Sequence, residues 1–173
     1  LFALALARPF AGSAGLEGGG QSYARAAGSV SGGTNTVRYA AHASTLRDGR
    51  NSDGGSLDLQ TISGSLSLHP MENTSISFFA RQNDRDSESF PETSGGIRLA
   101  VLRTLEKRKS EETSYGADLS IHPVEKLGFR IQISKYERIE DILSPGVDPF
   151  FDVPPVDSHS DFTRDSALAT VSL

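Results

Sequence analysis

The feature that most constrains the fold of this chain is a hairpin pattern that occurs twice, at residues 65–78 and 118–131. In each copy an alternating polar and apolar run ends at His-Pro, turns within a few residues and resumes the alternation. Side chains that alternate with a period of two belong to a β-strand with two chemically different faces. A short turn between two such runs makes the strands antiparallel neighbours. The pattern therefore predicts β-hairpins with one apolar and one polar face.

The second copy separates the two faces most clearly. Asp118 and Arg130 share its polar face, and the opposite face carries Tyr115, Ala117, Leu119, Ile121, Leu127, Phe129, Ile131 and Ile133. Beyond Ile133 the apolar positions become Lys135 and Glu137, as expected of a strand that leaves a hydrocarbon layer for water. A basic residue on the lipid side costs about 2–4 kcal/mol at mid-membrane. The alternation therefore predicts that the apolar face meets lipid.

The connections between the predicted strands fall into two length classes. Short turns are predicted at residues 32–35, 70–73 and 123–126, with Pro70 and Pro123 in two of them. Long loops are predicted at residues 47–55, 84–110 and 141–163, and residues 97–105 fit either a short helix or a strand extension. A change of phase near Thr61 predicts a bulge, and a last strand is predicted from Ser166. Short turns at one end and long loops at the other are typical of an up-and-down meander, specifically an outer-membrane barrel.

Composition agrees with half-polar strands and narrows the function classes. The chain has 173 residues, 36% of them hydrophobic, no cysteine and a net charge of −5. The lack of cysteine excludes disulfide frameworks and thiolate catalysis, and the acidic charge argues against a nucleic-acid partner. No apolar run approaches the roughly 20 residues of a spanning helix. No nucleophile motif, phosphate loop or metal-ligand set is found, so we expect no enzyme activity, no metal and no cofactor.

The first residues are predicted to form a separate segment, 1–13, before the partial barrel domain at 14–173. Leu1-Phe-Ala-Leu-Ala-Leu-Ala resembles the apolar core of a signal peptide and is followed by small residues, but the basic start of such a signal is missing. The alternative interpretation is that this segment marks the start of a fragment.

Four stretches resemble TonB-dependent outer-membrane receptors, in the branch of the cobalamin and siderophore receptors. They are residues 16–23 with 29–33, residues 47–53, residues 63–70 and 76–84 with Phe90-Pro91, and residues 138–145 with 164–165. The likeness lies in their order and spacing. It implies an N-terminal part of a barrel of roughly 22 strands, an open meander of about eight strands. On this resemblance the turns at Pro70 and Pro123 face the periplasm and the long loops face outward. The family's plug domain and closing strand have no counterpart in these residues.

The resemblance implies an importer of a scarce ligand, such as a metal–siderophore complex or cobalamin, in the bacterial outer membrane. Its partners would be outer-membrane lipid and lipopolysaccharide, the TonB energy-transducing complex acting through the plug, and a small-molecule cargo. Ligand contacts are expected in the outer loops, where the candidates are Phe90, Asp148, Phe150, Phe151 and Asp152. Loop carboxylates of this kind can bind calcium, but a self-packed loop with solvated acids is the simpler interpretation. His69 and His122 occupy equivalent turn positions, which favours a role in turn geometry over metal binding.

Two other interpretations fit the pattern. One is a complete small outer-membrane barrel with a structural or adhesive role, in which the first residues are a processed signal. The other is a secreted soluble β-sandwich that binds carbohydrate. A sandwich covers its apolar side chains with a second layer of polypeptide, whereas a membrane barrel leaves them on the outside of a single layer. The placement of these side chains discriminates between the two.

Overall fold

The computed structural model of the protein describes residues 10–49, 54–124, 127–150 and 153–172. Within these ranges the chain forms eight β-strands: β1 (Ala11–Gly18), β2 (Ala24–Gly33), β3 (Val37–Asp48), β4 (Ser56–Met71), β5 (Thr74–Ser89), β6 (Glu106–Val124), β7 (Leu127–Ser144) and β8 (Val156–Ser172). A single 3₁₀ turn (Glu92–Ser94) and a short helix, α1 (Gly96–Leu99), lie between β5 and β6. The predicted all-β fold is confirmed. β1 includes the last residues of the 1–13 segment.

All eight strands lie in one antiparallel sheet in chain order, from β1 at one edge to β8 at the other. In the described part of the chain each strand contacts only its sequence neighbours, so β1 and β8 do not pair. The sheet is therefore an open up-and-down meander, as predicted.

The connections segregate by length, as the sequence predicted. One end of the sheet, called the short-turn edge, carries the connections 34–36, 72–73 and 125–126, of which the last lies outside the described residues. The opposite end, called the loop edge, carries the connections 19–23, 49–55, 90–105 and 145–155. At the first short turn Gly33 has a φ of +145°, and a Cβ there would lie 2.1 Å from the carbonyl oxygen of Val37. Only glycine fits that position.

The loops are shorter than the sequence predicted, because charged segments belong to the strands. β5 continues to Ser89 and β6 begins at Glu106, so the predicted loop at 84–110 shrinks to 90–105. β7 continues to Ser144 and β8 begins at Val156 rather than at Ser166, so only 145–155 is loop. Likewise β3 runs through Asp48. The backbone ladder forms regardless of side-chain charge as long as each residue can donate and accept. The four prolines of the predicted 141–163 loop do remain outside the strands, at 145, 149, 154 and 155.

The predicted bulge at Thr61 is wrong. The register of β4 against β3 and β5 runs without interruption through Thr61. The phase change arises because Leu57 and Leu59 lie on the opposite face from Ile62 and Leu66. Register shifts occur instead between Leu68 and Met71 and between Ile121 and Val124, which is where the two His-Pro pairs lie. Proline has no N–H to donate to a ladder, so the pairing is interrupted there.

The two His-Pro turns are built alike. The backbone N–H of His69 donates to the carbonyl oxygen of Thr36 at 2.6 Å, and that of His122 donates to the carbonyl oxygen of Asn73 at 2.8 Å. In each case the acceptor lies in the turn of the preceding hairpin. The two histidine positions are thus equivalent in backbone geometry, and no group of three metal-ligating side chains occurs among the described residues.

The sheet is a single layer, with no second layer of polypeptide over either face in the described ranges. Ala100 is the one buried hydrophobic residue of these ranges, and it belongs to the loop at 90–105. Ile62, Ile131 and Ile133 in the strands are 60%, 53% and 55% exposed. A soluble sandwich would cover these side chains with a second layer of polypeptide, and the described ranges contain no such layer. Something outside the described chain has to cover them.

Candidate functional site: the two faces of the sheet

Near the short-turn edge, strand register places most of the large apolar side chains of six strands on one face, here called the apolar face; Phe79 and Leu168 lie on the opposite face. Near the short-turn edge this face forms an apolar band made of Val37, Tyr39, Ala41, Ala43, Ile62, Leu66, Leu68, Met71, Ile76, Phe78, Ala80, Tyr115, Ala117, Leu119, Ile121, Val124, Leu127, Phe129, Ile131, Ile133, Ala167, Ala169 and Val171. The register shifts at the His-Pro pairs place Met71 opposite Thr74 and Val124 opposite Leu127, which returns both side chains to this face. The two irregularities thus extend the band to the turns.

Toward the loop edge the same face becomes charged. This charged belt consists of Arg47, Asp58, Asp84, Asp86, Glu88, Lys107, Lys109, Glu111, Lys135, Glu137, Asp141, Asp157, His159, Asp161 and Asp165. Arg47 pairs with Asp58 at 3.0 Å and Lys135 with Glu137 at 2.6 Å. Exposed pairs of this kind contribute at most about 1 kcal/mol. The belt therefore acts mainly by being hydrated, and it marks where the apolar band ends.

The border between the band and the belt crosses the strands diagonally. With the loop edge at the top, the uppermost apolar residues of the band are the cross-strand pairs Ala43–Ile62, Ala80–Tyr115 and Ile133–Ala167. The position opposite Ile62 on β5 is Gln82, two residues above Ala80, and the position opposite Tyr115 on β7 is Lys135, two residues above Ile133. The border therefore descends by about one residue per strand. With about 3.3 Å per residue and 4.8 Å between strands, this slope corresponds to strands tilted by roughly 35°.

The height of the band depends on the strand. It is longest on β4, from Ile62 to Met71, and on β6, from Tyr115 to Val124, with ten residues in each case, whereas on β5 (74–80) and β7 (127–133) it has seven. Ten residues span about 30 Å along a strand and about 24 Å along an axis tilted by 35°. Transmembrane strands typically have 9–11 residues, and their apolar band is about 25 Å tall.

The opposite face, here called the serine–arginine face, carries polar cross-strand contacts. Ser67 and Ser77 form a hydroxyl–hydroxyl hydrogen bond of 2.9 Å, and Thr61 donates to Asn83 at 3.0 Å. The Nε of Arg130 donates to Asp118 at 2.5 Å. The predicted placement of Asp118 and Arg130 on the polar face is confirmed. A face of this composition suits contact with water or with polar groups.

Phe79 is the one aromatic residue that the sequence placed against the alternation, and it lies on the serine–arginine face opposite Gly116. A Cβ on Gly116 would lie 2.7 Å and 2.8 Å from two ring carbons of Phe79. The ring therefore covers the glycine of the neighbouring strand. Aromatic cover of a strand glycine compensates for its missing side chain.

The ligand candidate Phe90 packs within the loop edge. The loop at 90–105 is tied by Ser94, whose backbone N–H and hydroxyl both donate to the carbonyl oxygen of Pro91, at 3.0 Å and 2.7 Å. A Cβ on Gly54 would lie 3.2 Å from the Phe90 ring and 3.5 Å from the Ile97 side chain. Phe90 is therefore half-buried against the neighbouring loop, where it supports a folded loop pair instead of presenting a free aromatic surface. The helix interpretation of 97–105 holds only for the residues of α1.

The other candidates lie in the loop at 145–155. Phe150 is 89% exposed, and its backbone N–H donates to the Asp148 carboxylate at 2.8 Å. That bond gives Asp148 a local turn role. Phe151 and Asp152 lie outside the described residues. Sequence reasoning missed Leu99 and Val101, which are 76% and 66% exposed in the loop at 90–105. The only signal for them was the ambiguous apolar run at 97–105.

An open groove of about 600 Å³ lies over the charged belt and the first strands, lined by residues such as Arg47, Asp58, Asp84, Asp86 and Lys109. None of the loop candidates lines it.

His159 at the belt should titrate above its usual range. Its Nδ1 lies 2.6 Å from Oδ1 of Asp141. This hydrogen bond and the negative charge of Asp141 raise the His159 pKa, with a smaller contribution from Asp161. A pKa raised in the folded state stabilises the fold below the unfolded value of about 6.5, and the gain is lost as the pH rises through the folded pKa. In Asp141→Asn we expect the pKa to fall back toward 6.5, measured by NMR titration of the imidazole in micelles. An unchanged titration would contradict the pairing.

Among the described residues, neither short helix has the length or the hydropathy needed to cross a membrane. Comparison of the chain with protein-family models, with curated proteins and with solved structures finds no match.

Proposed function

We propose that this chain forms part of the wall of an outer-membrane β-barrel, and that the barrel is a gated importer of the TonB-dependent receptor class. The observation that carries the proposal is the apolar band. A single-layer meander exposes it on one face, at the height of a bilayer, with a charged belt along a border tilted by roughly 35°. Strands of membrane barrels tilt by 35–45°.

The charged belt argues against a soluble barrel closed around the apolar face. Such a barrel would enclose every side chain of that face, including the belt. Ten belt carboxylates would then lie inside: Asp58, Asp84, Asp86, Glu88, Glu111, Glu137, Asp141, Asp157, Asp161 and Asp165. Burying charges costs several kcal/mol per ion unless they are well paired, and on the same face the described strands hold only four lysines and arginines: Arg47, Lys107, Lys109 and Lys135. The carboxylates of the belt avoid this cost only where water or lipid headgroups reach them.

The orientation follows from the two edges. Outer-membrane barrels have short turns on the periplasmic side and longer loops outside the cell. The turns at Pro70 and Pro123 would then face the periplasm, and the loops at 90–105 and 145–155 would face the exterior. The belt would lie just above the outer boundary of the hydrocarbon, at the level of the lipopolysaccharide headgroups.

The importer part of the proposal rests on the family resemblance in the order and spacing of four stretches. In that class a small-molecule cargo binds to outer loops and plug, and the TonB complex supplies energy through the plug. The segment described here would supply the wall and two folded outer loops. Barrel walls of this kind do no covalent chemistry. The exposed residues Phe150, Leu99 and Val101 are the loop positions at which a cargo or a surface partner would first make contact.

The test combines heat-modifiable migration with surface proteolysis. We expect the protein, extracted in mild detergent, to migrate differently on gels before and after boiling, because a closed barrel resists unfolding by detergent. In intact cells we expect protease to cut within 90–105 or 145–155 and to leave the short turns intact. Cleavage confined to the short turns would overturn the orientation. A protein that remains monodisperse and folded without detergent would overturn the membrane assignment.

A further inference from the structure

Basic residues are sorted between the two faces by type. The strand lysines of the described chain, Lys107, Lys109 and Lys135, all lie in the charged belt. All but one of the strand arginines lie on the other face: Arg25, Arg38, Arg81, Arg85, Arg108, Arg130, Arg138 and Arg164. Arginine presents a planar fork of donors that matches carboxylate and phosphate groups, whereas lysine is a strongly hydrated point charge. The serine–arginine face is thus equipped with the donors that bind oxyanions.

Two neighbouring cross-strand rows of this face contain no carboxylate. The first row is Ser13, Ser29, His42, Ser63, Arg81, Ser114, Tyr136 and Arg164, and the second is Ala11, Ser31, Ala40, Ser65, Phe79, Gly116, Ser134 and Ser166. We call these two rows the acid-free zone. On β3 and β4 the zone lies behind the apolar band, at the level that the proposed membrane would occupy, whereas on β7 and β8 its first row, with Tyr136 and Arg164, lies behind the charged belt. The zone offers hydroxyl groups, two guanidinium groups and a histidine.

The carboxylates nearest to the acid-free zone already have partners. Asp118 is bound by Arg130 at 2.5 Å, and Arg138 lies between Glu112 and Glu140, at 3.8 Å and 2.7 Å. In the described ranges no carboxylate lies within ion-pair distance of Arg38, Arg81 or Arg164. Arg81 donates its Nε to the neutral side chain of Asn83 at 3.1 Å. The zone therefore keeps an uncompensated positive charge.

We propose that the acid-free zone is an anion-binding part of the barrel lumen and that the cargo is a small solute bearing carboxylate or phosphate groups. This inference rests on the proposed function, since it takes the serine–arginine face as the lumen side. Rings of arginine make pores selective for anions and phosphate, and a cleft of one sign of charge concentrates solutes of the opposite sign. Serine hydroxyls add donors without adding charge.

The lack of cysteine in the chain makes a direct test possible. Ser63→Cys places one thiol in the acid-free zone, between His42 and Arg81 in the cross-strand row. In the protein as the cell produces it, with any other cysteine replaced, the thiol is treated with an anionic and with a cationic methanethiosulfonate reagent of similar size. Relative to a free thiol, we expect the anionic reagent to be favoured by about fivefold, the effect of roughly one net charge about 7 Å away. Adding Arg81→Gln and Arg164→Gln should remove most of this preference.

Thr163→Cys is the matched control on the other face. It is paired with Glu137 and lies between Asp161 and Asp165 along β8, so we expect it to prefer the cationic reagent. Equal preferences at the two positions would overturn the proposal, and so would a cationic preference at Ser63→Cys. Failure of both reagents to reach Ser63→Cys would overturn it as well, because another protein surface, such as a plug, would then cover the zone and leave no room for a solute.

A third variant separates failure of this inference from failure of the barrel. Ile131→Cys lies in the apolar band, and in lipid it should react with neither water-soluble reagent but should react with a lipid-soluble maleimide. If that pattern holds while Ser63→Cys shows no preference for the anionic reagent, the barrel assignment is supported and the anion-binding proposal is wrong. If Ile131→Cys reacts readily with both water-soluble reagents, the membrane assignment itself is wrong.

Discussion

Replacing Ile131 with arginine should cost about 2–4 kcal/mol of folding free energy in a bilayer, whereas the same replacement at the next residue, Gln132, should cost little. Ile131 lies in the middle of the apolar band, and its side chain is 53% exposed with no protein layer over it. A guanidinium at this position would have to stay in hydrocarbon or distort the bilayer to reach water. The side chain of Gln132 lies on the serine–arginine face, where water and polar groups can receive a charge.

The comparison is sharp because the two positions share a strand, a depth and a backbone environment. Only the face differs. The measurement is the urea dependence of folding into lipid vesicles, followed by heat-modifiable migration. A loss of 2–4 kcal/mol lowers the ratio of folded to unfolded protein by about 30-fold to 1,000-fold, so Ile131→Arg should accumulate unfolded. Equal losses for the two variants, or a larger loss at Gln132→Arg, would show that the apolar band does not face lipid.

The faces of the sheet could be predicted from the sequence because each environment selects a residue type. An apolar environment favours Ile131 and Ile133 and disfavours Asp118 and Arg130. Alternation with a period of two therefore assigns these four side chains to the two faces of the sheet without coordinates. The two His-Pro pairs could be predicted as turns for a similar reason. Proline cannot donate to a ladder, and a short turn must follow where two alternating runs lie so close together.

The strand ends could not be predicted in the same way. Residues such as Asp86, Lys109 and Asp141 lie in strands that continue beyond the apolar band, where side-chain polarity no longer reports on the backbone. A charged strand in water and a charged loop have the same composition, and what distinguishes them is hydrogen bonding to a neighbouring strand that is remote in sequence. The tilted border was likewise hidden, because it appears only after six strands are set in register.

The loop candidates show a related limit of sequence patterns. Phe90 and Phe150 have the same residue type and each is next to a proline, yet one packs against Gly54 and the other is exposed. The difference depends on which loop lies next to each phenylalanine in space. Residue type can therefore propose a ligand contact, but packing between neighbouring loops decides whether the ring is available.

Gly116→Ala should destabilise the sheet by about 1–3 kcal/mol, the usual cost of adding a methyl group to a closely packed site. A Cβ at this position would lie 2.5 Å from the carbonyl oxygen of Ile133 and 2.7 Å from the Phe79 ring. The ring can rotate away, but the carbonyl oxygen belongs to the backbone of β7, which pairs with β6 at this point. Relief therefore requires β6 and β7 to separate or twist, at the centre of the longest hairpin of the sheet.

Gly64→Ala is the matched control, since Gly64 is also a mid-strand glycine and its nearest contact for a Cβ is the Ala40 carbonyl oxygen at 3.7 Å. This variant should be neutral or slightly more stable, because alanine lowers the conformational entropy of the unfolded chain. A double variant, Gly116→Ala with Phe79→Ala, separates the two contacts. If the ring dominates, it should recover most of the loss. If the Ile133 carbonyl dominates, as its shorter distance indicates, the loss should persist. Unfolding midpoints in urea for all three variants decide between these outcomes, and equal midpoints for Gly116→Ala and Gly64→Ala would show that β6 and β7 are not packed closely at this position.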